Sequence, residues 1–148
     1  MDLREEAEYR LSLAESNLRD SKKFLDDKLY HWAVLSAQLS VENSAKAVIS
    51  CFRIPSWLHD PSLELEDVLR DWKDDISSRF EENIVEALKR LAETASELAP
   101  DHGRATYGII ERRVLPSEIY GEPEAQRAVC RAEEGCKTAD RFVKKWFQ

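Results

Sequence analysis

Apolar residues recur at helical spacing in several stretches of the chain, and one stretch differs in kind from the rest. From Leu3 to Leu25, the residues Ala7, Leu11, Ala14, Leu18, Ser21 and Leu25 fall at alternating steps of four and three. That spacing predicts one apolar stripe on a helix whose other face, with Glu5, Glu8, Glu15, Arg19 and Lys22, is solvated. From Ile76 to Leu98 the stripe is Phe80, Ile84, Leu88, Leu91, Ala95 and Leu98, and from Glu122 to Phe147 it is Ala125, Val129, Ala132, Cys136, Ala139, Val143 and Trp146. Glu-Pro-Glu at the start of the last stretch suits a first helical turn. The segment Tyr30 to Phe52 is different: its only full charges are Glu42 and Lys46, it has no glycine or proline, and small residues alternate with large apolar ones. Such a helix is buried on most of its circumference. One-sided helices cover a common partner only if that partner is central, so 30–52 is predicted to be the axis of an all-α antiparallel bundle.

Breaks in the pattern set the helix count. Asp26-Asp27-Lys28 is a short link, which makes the next helix an antiparallel neighbour. Pro55 and Pro61 end the axial helix near Phe52 or Arg53. A short helix resumes after them, capped by Asp60 or Ser62, with Leu63, Val68 and Leu69 inward. Pro100 and Gly103 close the stripe of 76–98, and residues 99–121 hold three of the four glycines, which reads as the longest irregular stretch. The expectation is about five helices in one domain over residues 1–148, with no repeat and no linker.

Composition narrows the function classes. The net charge of −7 argues against sequence-blind affinity for nucleic acid. Residues 1–98, however, hold 21 acids and 13 bases, whereas 99–148 hold 8 acids and 9 bases, so an anion-binding surface in the last third stays open. The acidic run from Asp60 to Asp75 reads as solvated surface. Cys51, Cys130 and Cys136 are odd in number and lack metal-site spacing. No metal site is expected, and no cofactor beyond a nucleotide ligand. There is no apolar run of transmembrane length, and the acidic opening is unlike a signal peptide, so a cytoplasmic protein without membrane contact is expected.

Three groups of residues carry candidate chemistry. Glu42 and Lys46 stand four apart, acid first, the favourable order for an ion pair; buried, the pair needs further hydrogen bonds. Arg104, Tyr107, Arg112 and Arg113 combine guanidinium forks suited to phosphate with a phenol ring that stacks on a base. The bland alternative is that Tyr107 packs the loop down while the arginines are solvated. Arg53 and His59 offer a fixed cation and a near-neutral base, although thirteen arginines and three histidines give such a pair by chance about once. Their bland roles are a cation at a helix C-terminus and a helix-start residue. His102 reads as a solvent-facing loop residue.

The order of these fragments resembles the HEPN domains (higher eukaryotes and prokaryotes nucleotide-binding). The axial segment carries Tyr30, Ala33, Ala37-Gln38 and Glu42-x-x-x-Lys46-Ala47; His59-Asp60 follows, then Arg104-x-x-Tyr107-Gly108, then Pro116 to Tyr120 before an alanine-rich last helix. Glycine at 108 and two inserted residues depart from the family's Arg-Tyr-Pro segment. The resemblance implies a helical bundle that commonly forms a homodimer and has nucleotide- or RNA-directed roles. It also implies pairing with a minimal nucleotidyltransferase in toxin–antitoxin systems. Some HEPN proteins are metal-independent ribonucleases using an arginine and a histidine with four to six residues between them, which Arg53 and His59 match formally. Here Ile54 and Pro55 follow the arginine, where a polar residue is usual, so binding is favoured over catalysis. A non-catalytic interaction or scaffold protein is the remaining alternative.

Overall fold

The central helix is almost entirely enclosed by the chain's own other helices. In the computed structural model, which describes residues 2–148, the helices are α1 (Leu3–Asp26), α2 (Tyr30–Ser50), α3 (Ser62–Asp71), α4 (Lys73–Arg79), α5 (Asn83–Leu98), α6 (Asp101–Tyr107), α7 (Pro116–Ile119) and α8 (Glu122–Trp146), with a 3-10 turn at Ile110–Arg112. Helix α2 packs chiefly on α1 and α8, and also meets α3, α5, α6 and α7. The architecture is the expected all-α bundle around residues 30–50. Among the described residues no helix is long and apolar enough to cross a membrane.

Small residues let this axis be shared. Ala33, Ala37, Ser40, Ser44, Ala45, Ala47 and Ser50 are all buried, so neighbouring backbones come close. Two of the three hydroxyls are bonded: Ser40 Oγ donates to the Ala14 carbonyl of α1 at 2.8 Å and Ser50 Oγ to the Lys46 carbonyl at 2.7 Å, while Ser44 Oγ has no partner. On the α1 side, Asn43 donates to Asn17 Oδ1 at 3.1 Å and accepts from Arg10 at 3.3 Å. Helix α1 starts on an Asp2 cap that accepts from the Arg4 N–H and stops at Lys28, whose φ of 61° is left-handed.

The helix count exceeds five for two physical reasons. Phe80, expected on a continuous helix from 76, takes an extended conformation (φ −124°, ψ 161°) that separates α4 from α5. Its ring stays buried and stacks on Phe142 with centroids 4.6 Å apart. Phe52, Trp72 and Trp146 extend this aromatic cluster, and the Arg79 guanidinium covers the Trp146 ring at 4.0 Å. Residues 99–121, read as irregular, hold α6, a 3-10 turn and α7. Within α3, Leu65, Val68 and Leu69 are buried while Leu63 points outward, a correction to its expected inward role. All three cysteines are free; burial pushes the Cys51 thiol up to about 12 and Cys136 up to about 11, and Cys130 is exposed.

Candidate functional site

One face of α2 carries a row of polar side chains through the core. Gln38, Glu42 and Lys46 stand four residues apart, hence on one helical stripe. Lys46 Nζ donates to Glu42 Oε1 at 2.9 Å, and Gln38 Nε2 donates to Glu42 Oε2 at 3.1 Å. Glu42 is 6 % exposed and Lys46 3 %. A pair this deep is costly unless its remaining lone pairs are satisfied, and the additional hydrogen bonds provide that.

The row ends at two histidines from distant parts of the chain. His59, in the link between α2 and α3, donates from Nδ1 to Glu42 Oε1 at 3.2 Å, because a carboxylate oxygen only accepts. Its neighbour Asp60 accepts from the Ser62 N–H and so starts α3. His102 lies in the first turn of α6, and its Nδ1 is 2.9 Å from Gln38 Oε1. Since the Gln38 nitrogen is committed to Glu42, its oxygen faces His102, whose Nδ1 is the donor. The two rings stack with centroids 3.7 Å apart at 18°. Burial and the neighbouring His59 lower the His102 pKa, which favours the neutral ring.

His102 is therefore not the solvent-facing loop residue that the sequence suggested. The readable signal was Pro100 followed by Asp101 with no further breaker but Gly103, an acceptable helix start. Nothing in the local pattern places its ring on His59, 43 residues earlier in the chain. Glu42, His59 and His102 together bring one donor atom each within 4.8 Å of one another, a grouping that could hold a metal ion; the cysteine spacing and the acidic run gave no sign of it.

Arg53 goes to a different place. Its guanidinium lies 3.4 Å from the Glu64 carbonyl and 4.0 Å from the Glu64 carboxylate on α3. That carboxylate also takes the Ser56 N–H and hydroxyl. Arg53 and His59 thus turn to separate partners, Glu64 and Glu42.

Arg104 and Tyr107 lie on α6, Arg112 ends the 3-10 turn, and Arg113 follows at φ 55°. The Tyr107 ring is 70 % exposed and does not pack the loop down. Among the described residues, none of these three arginines has a carboxylate within ion-pair distance, whereas Arg4, Arg10, Arg53, Arg70, Arg90, Arg131 and Arg141 do. The turn is pinned by an antiparallel bridge between Ile109 and Val114. Gly108 (φ 76°) precedes it, and a side chain there would collide with the Val114 carbonyl, which explains glycine at this position. Behind α6, a cleft of about 300 Å³ is lined by Asp101, Tyr120, Arg127 and Arg131 among others. Tyr120 donates to Asp101 at 2.6 Å, and burial with that bond raises the phenol's pKa. Carboxylates oppose the cations in this cleft.

A family model described as HEPN domain matches residues 7–142. The chain is also similar to a solved structure, the crystal structure of TT1696 from Thermus thermophilus, at 24 % identity and a TM-score of 0.60, over 92 % of this chain and 97 % of that one. No curated protein matches.

Proposed function

The chain belongs to the HEPN domain family, matched over residues 7–142, and from that premise we propose that it binds a nucleotide or RNA at the surface formed by Arg104, Tyr107, Arg112 and Arg113. The observation that supports this reading is the state of those side chains: on α6 and the 3-10 turn that follows it, three guanidinium groups have no carboxylate partner among the described residues, and the Tyr107 ring is left open to solvent. Guanidinium forks bind phosphate oxygens in pairs, and an exposed ring stacks on a base at about 1–3 kcal/mol per base. The reading makes the protein a binding module that works with a minimal nucleotidyltransferase in a toxin–antitoxin type of system. With ATP or a short single-stranded RNA, thermal unfolding is expected to shift upward, and Arg104→Glu with Arg112→Glu to abolish the shift. No shift with any nucleotide or RNA would sink the reading.

The ribonuclease alternative draws on one feature: the Glu42 carboxylate orients His59 as an acceptor orients a catalytic imidazole. Arg53, turned to Glu64, lends it no support. Pure protein in EDTA is expected to bind RNA without cutting it. Cleavage that disappears in His59→Ala would instead establish the alternative.

The protein is further proposed to act as a homodimer. The axis is mostly enclosed, Trp32 near its start apart, so the contact falls on the α2–α3 link and the start of α3, where Trp57 is 91 % exposed and Ile54, Leu58 and Leu63 are open. Sedimentation at micromolar concentration should give twice the 17.1 kDa chain mass, and Trp57→Ala with Leu58→Ala should return it to monomer. A wild-type monomer removes this part of the proposal.

A further inference from the structure

We infer that Glu42, His59 and His102 form a binding site for a divalent transition-metal ion of the zinc type, independent of the arginine surface. The three residues come from α2, the α2–α3 link and α6, and place one donor atom each within 4.8 Å of one another. Two imidazoles and one carboxylate with further positions open form a donor set that zinc accepts in proteins.

The present hydrogen bonds define which atoms bind. His59 Nδ1 and Glu42 Oε1 are 3.2 Å apart, close to the roughly 3.3 Å that separates two donors on one tetrahedral zinc with bonds of about 2.0–2.1 Å. The ion takes the place of the proton shared between them. In neutral His59 that proton moves through solvent to Nε2, so the ring keeps one N–H and no net proton is released. His102 already donates from Nδ1 to Gln38, which leaves its Nε2 lone pair as the donor. A ligating histidine whose other nitrogen is anchored in this way is the usual outer-shell arrangement at metal sites. Gln38 ties two of the donors together, since its amide also holds Glu42 Oε2. Donor atoms of the three residues lie within 4.8 Å of one another, against about 3.3 Å around one tetrahedral zinc, so the set closes on the ion as it binds. His59, with its side chain 57 % exposed on a link between helices, is free to move toward it.

The same surroundings select the kind of ion. Lys46 shares Glu42 Oε1 at 2.9 Å, so the carboxylate's charge is already offset and a hard cation that depends on oxygen ligands gains little. Calcium and magnesium take oxygen sets; imidazole nitrogen favours zinc, nickel and copper. The remaining positions are open to water or to a phosphate oxygen.

The test is a titration of the full chain with zinc sulfate against a competing chelating dye, in a Cys130→Ser background that removes the exposed thiol. One equivalent should bind per chain, magnesium should not displace it, and His59→Ala and His102→Ala should each weaken it at least tenfold. Equal zinc affinity in the double His59→Ala, His102→Ala variant overturns the site. Imidazole NMR of the unsubstituted chain gives an answer that does not depend on variants folding. Zinc should shift the ring resonances of His59 and His102 and leave those of His31, whose Nδ1 faces the Ala105 carbonyl, in place. Shifts at His31 alone, or at none of the three, would equally overturn it.

Discussion

Glu42→Ala is expected to destabilise the fold by about 3–5 kcal/mol, the usual cost of stranding one member of a buried ion pair, with a fall in Tm of roughly 6–20 °C. The variant leaves the Lys46 ammonium 3 % exposed and without its carboxylate. It also removes the acceptor of the Gln38 amide and of His59. The informative comparison is the double variant Glu42→Ala, Lys46→Ala. With both charges gone no ion is stranded, so the double should be more stable than Glu42→Ala alone, with a coupling of about 1–3 kcal/mol. Urea midpoints at constant slope measure this directly. A double variant that shows the plain sum of the two single losses would mean that the pair is not the linked, desolvated unit described.

Phe142→Ala is the second large effect, at about 3–5 kcal/mol. The ring is fully buried and packs between Phe80 at 4.6 Å, Trp146 at 5.8 Å and Phe52 at 6.0 Å. Its neighbours come from the α4–α5 break, the end of α8 and the exit of α2. They are large, rigid rings and cannot collapse into the space, so the cavity term is close to its upper range. Phe142→Leu should lose much less, because it refills most of the volume. Denaturant unfolding of the two variants gives the comparison; equal losses would show that ring stacking, and not volume, holds the cluster.

The periodic helices were legible because their physics is local. A stripe such as Leu11, Ala14, Leu18 or Ala132, Cys136, Ala139 announces its buried face regardless of what covers it, and the low charge of 30–52 marked the axis for the same reason. The Glu42–Lys46 pair was legible from its spacing. Phe80 was not: its apolar character fits the helical stripe, and only packing against Phe142 favours the extended backbone that splits the helix. Residues 99–121 were misread because Gly103 and Gly108 look alike in sequence, yet Gly103 lies inside α6 and Gly108 has the positive φ that ends it. The histidine pair was hidden for a different reason. His59 and His102 meet only because α3 to α5 intervene and return the chain to the same face of α2, and no window along the sequence contains that geometry. Gln38 is the residue that connects them, and its role depends on an amide orientation fixed by two partners at once.

The position of α8 has a consequence for how the molecule is made. This helix seals both α1 and α2, yet it begins about seventy residues after α2 has ended. At synthesis rates of about 5–20 residues per second, the α1–α2 hairpin waits several seconds before its cover emerges. Throughout that interval the side of α2 that α8 will cover faces water or whatever nascent-chain binder meets it. The most protected helix of the finished protein is therefore left without its final cover for much of its synthesis.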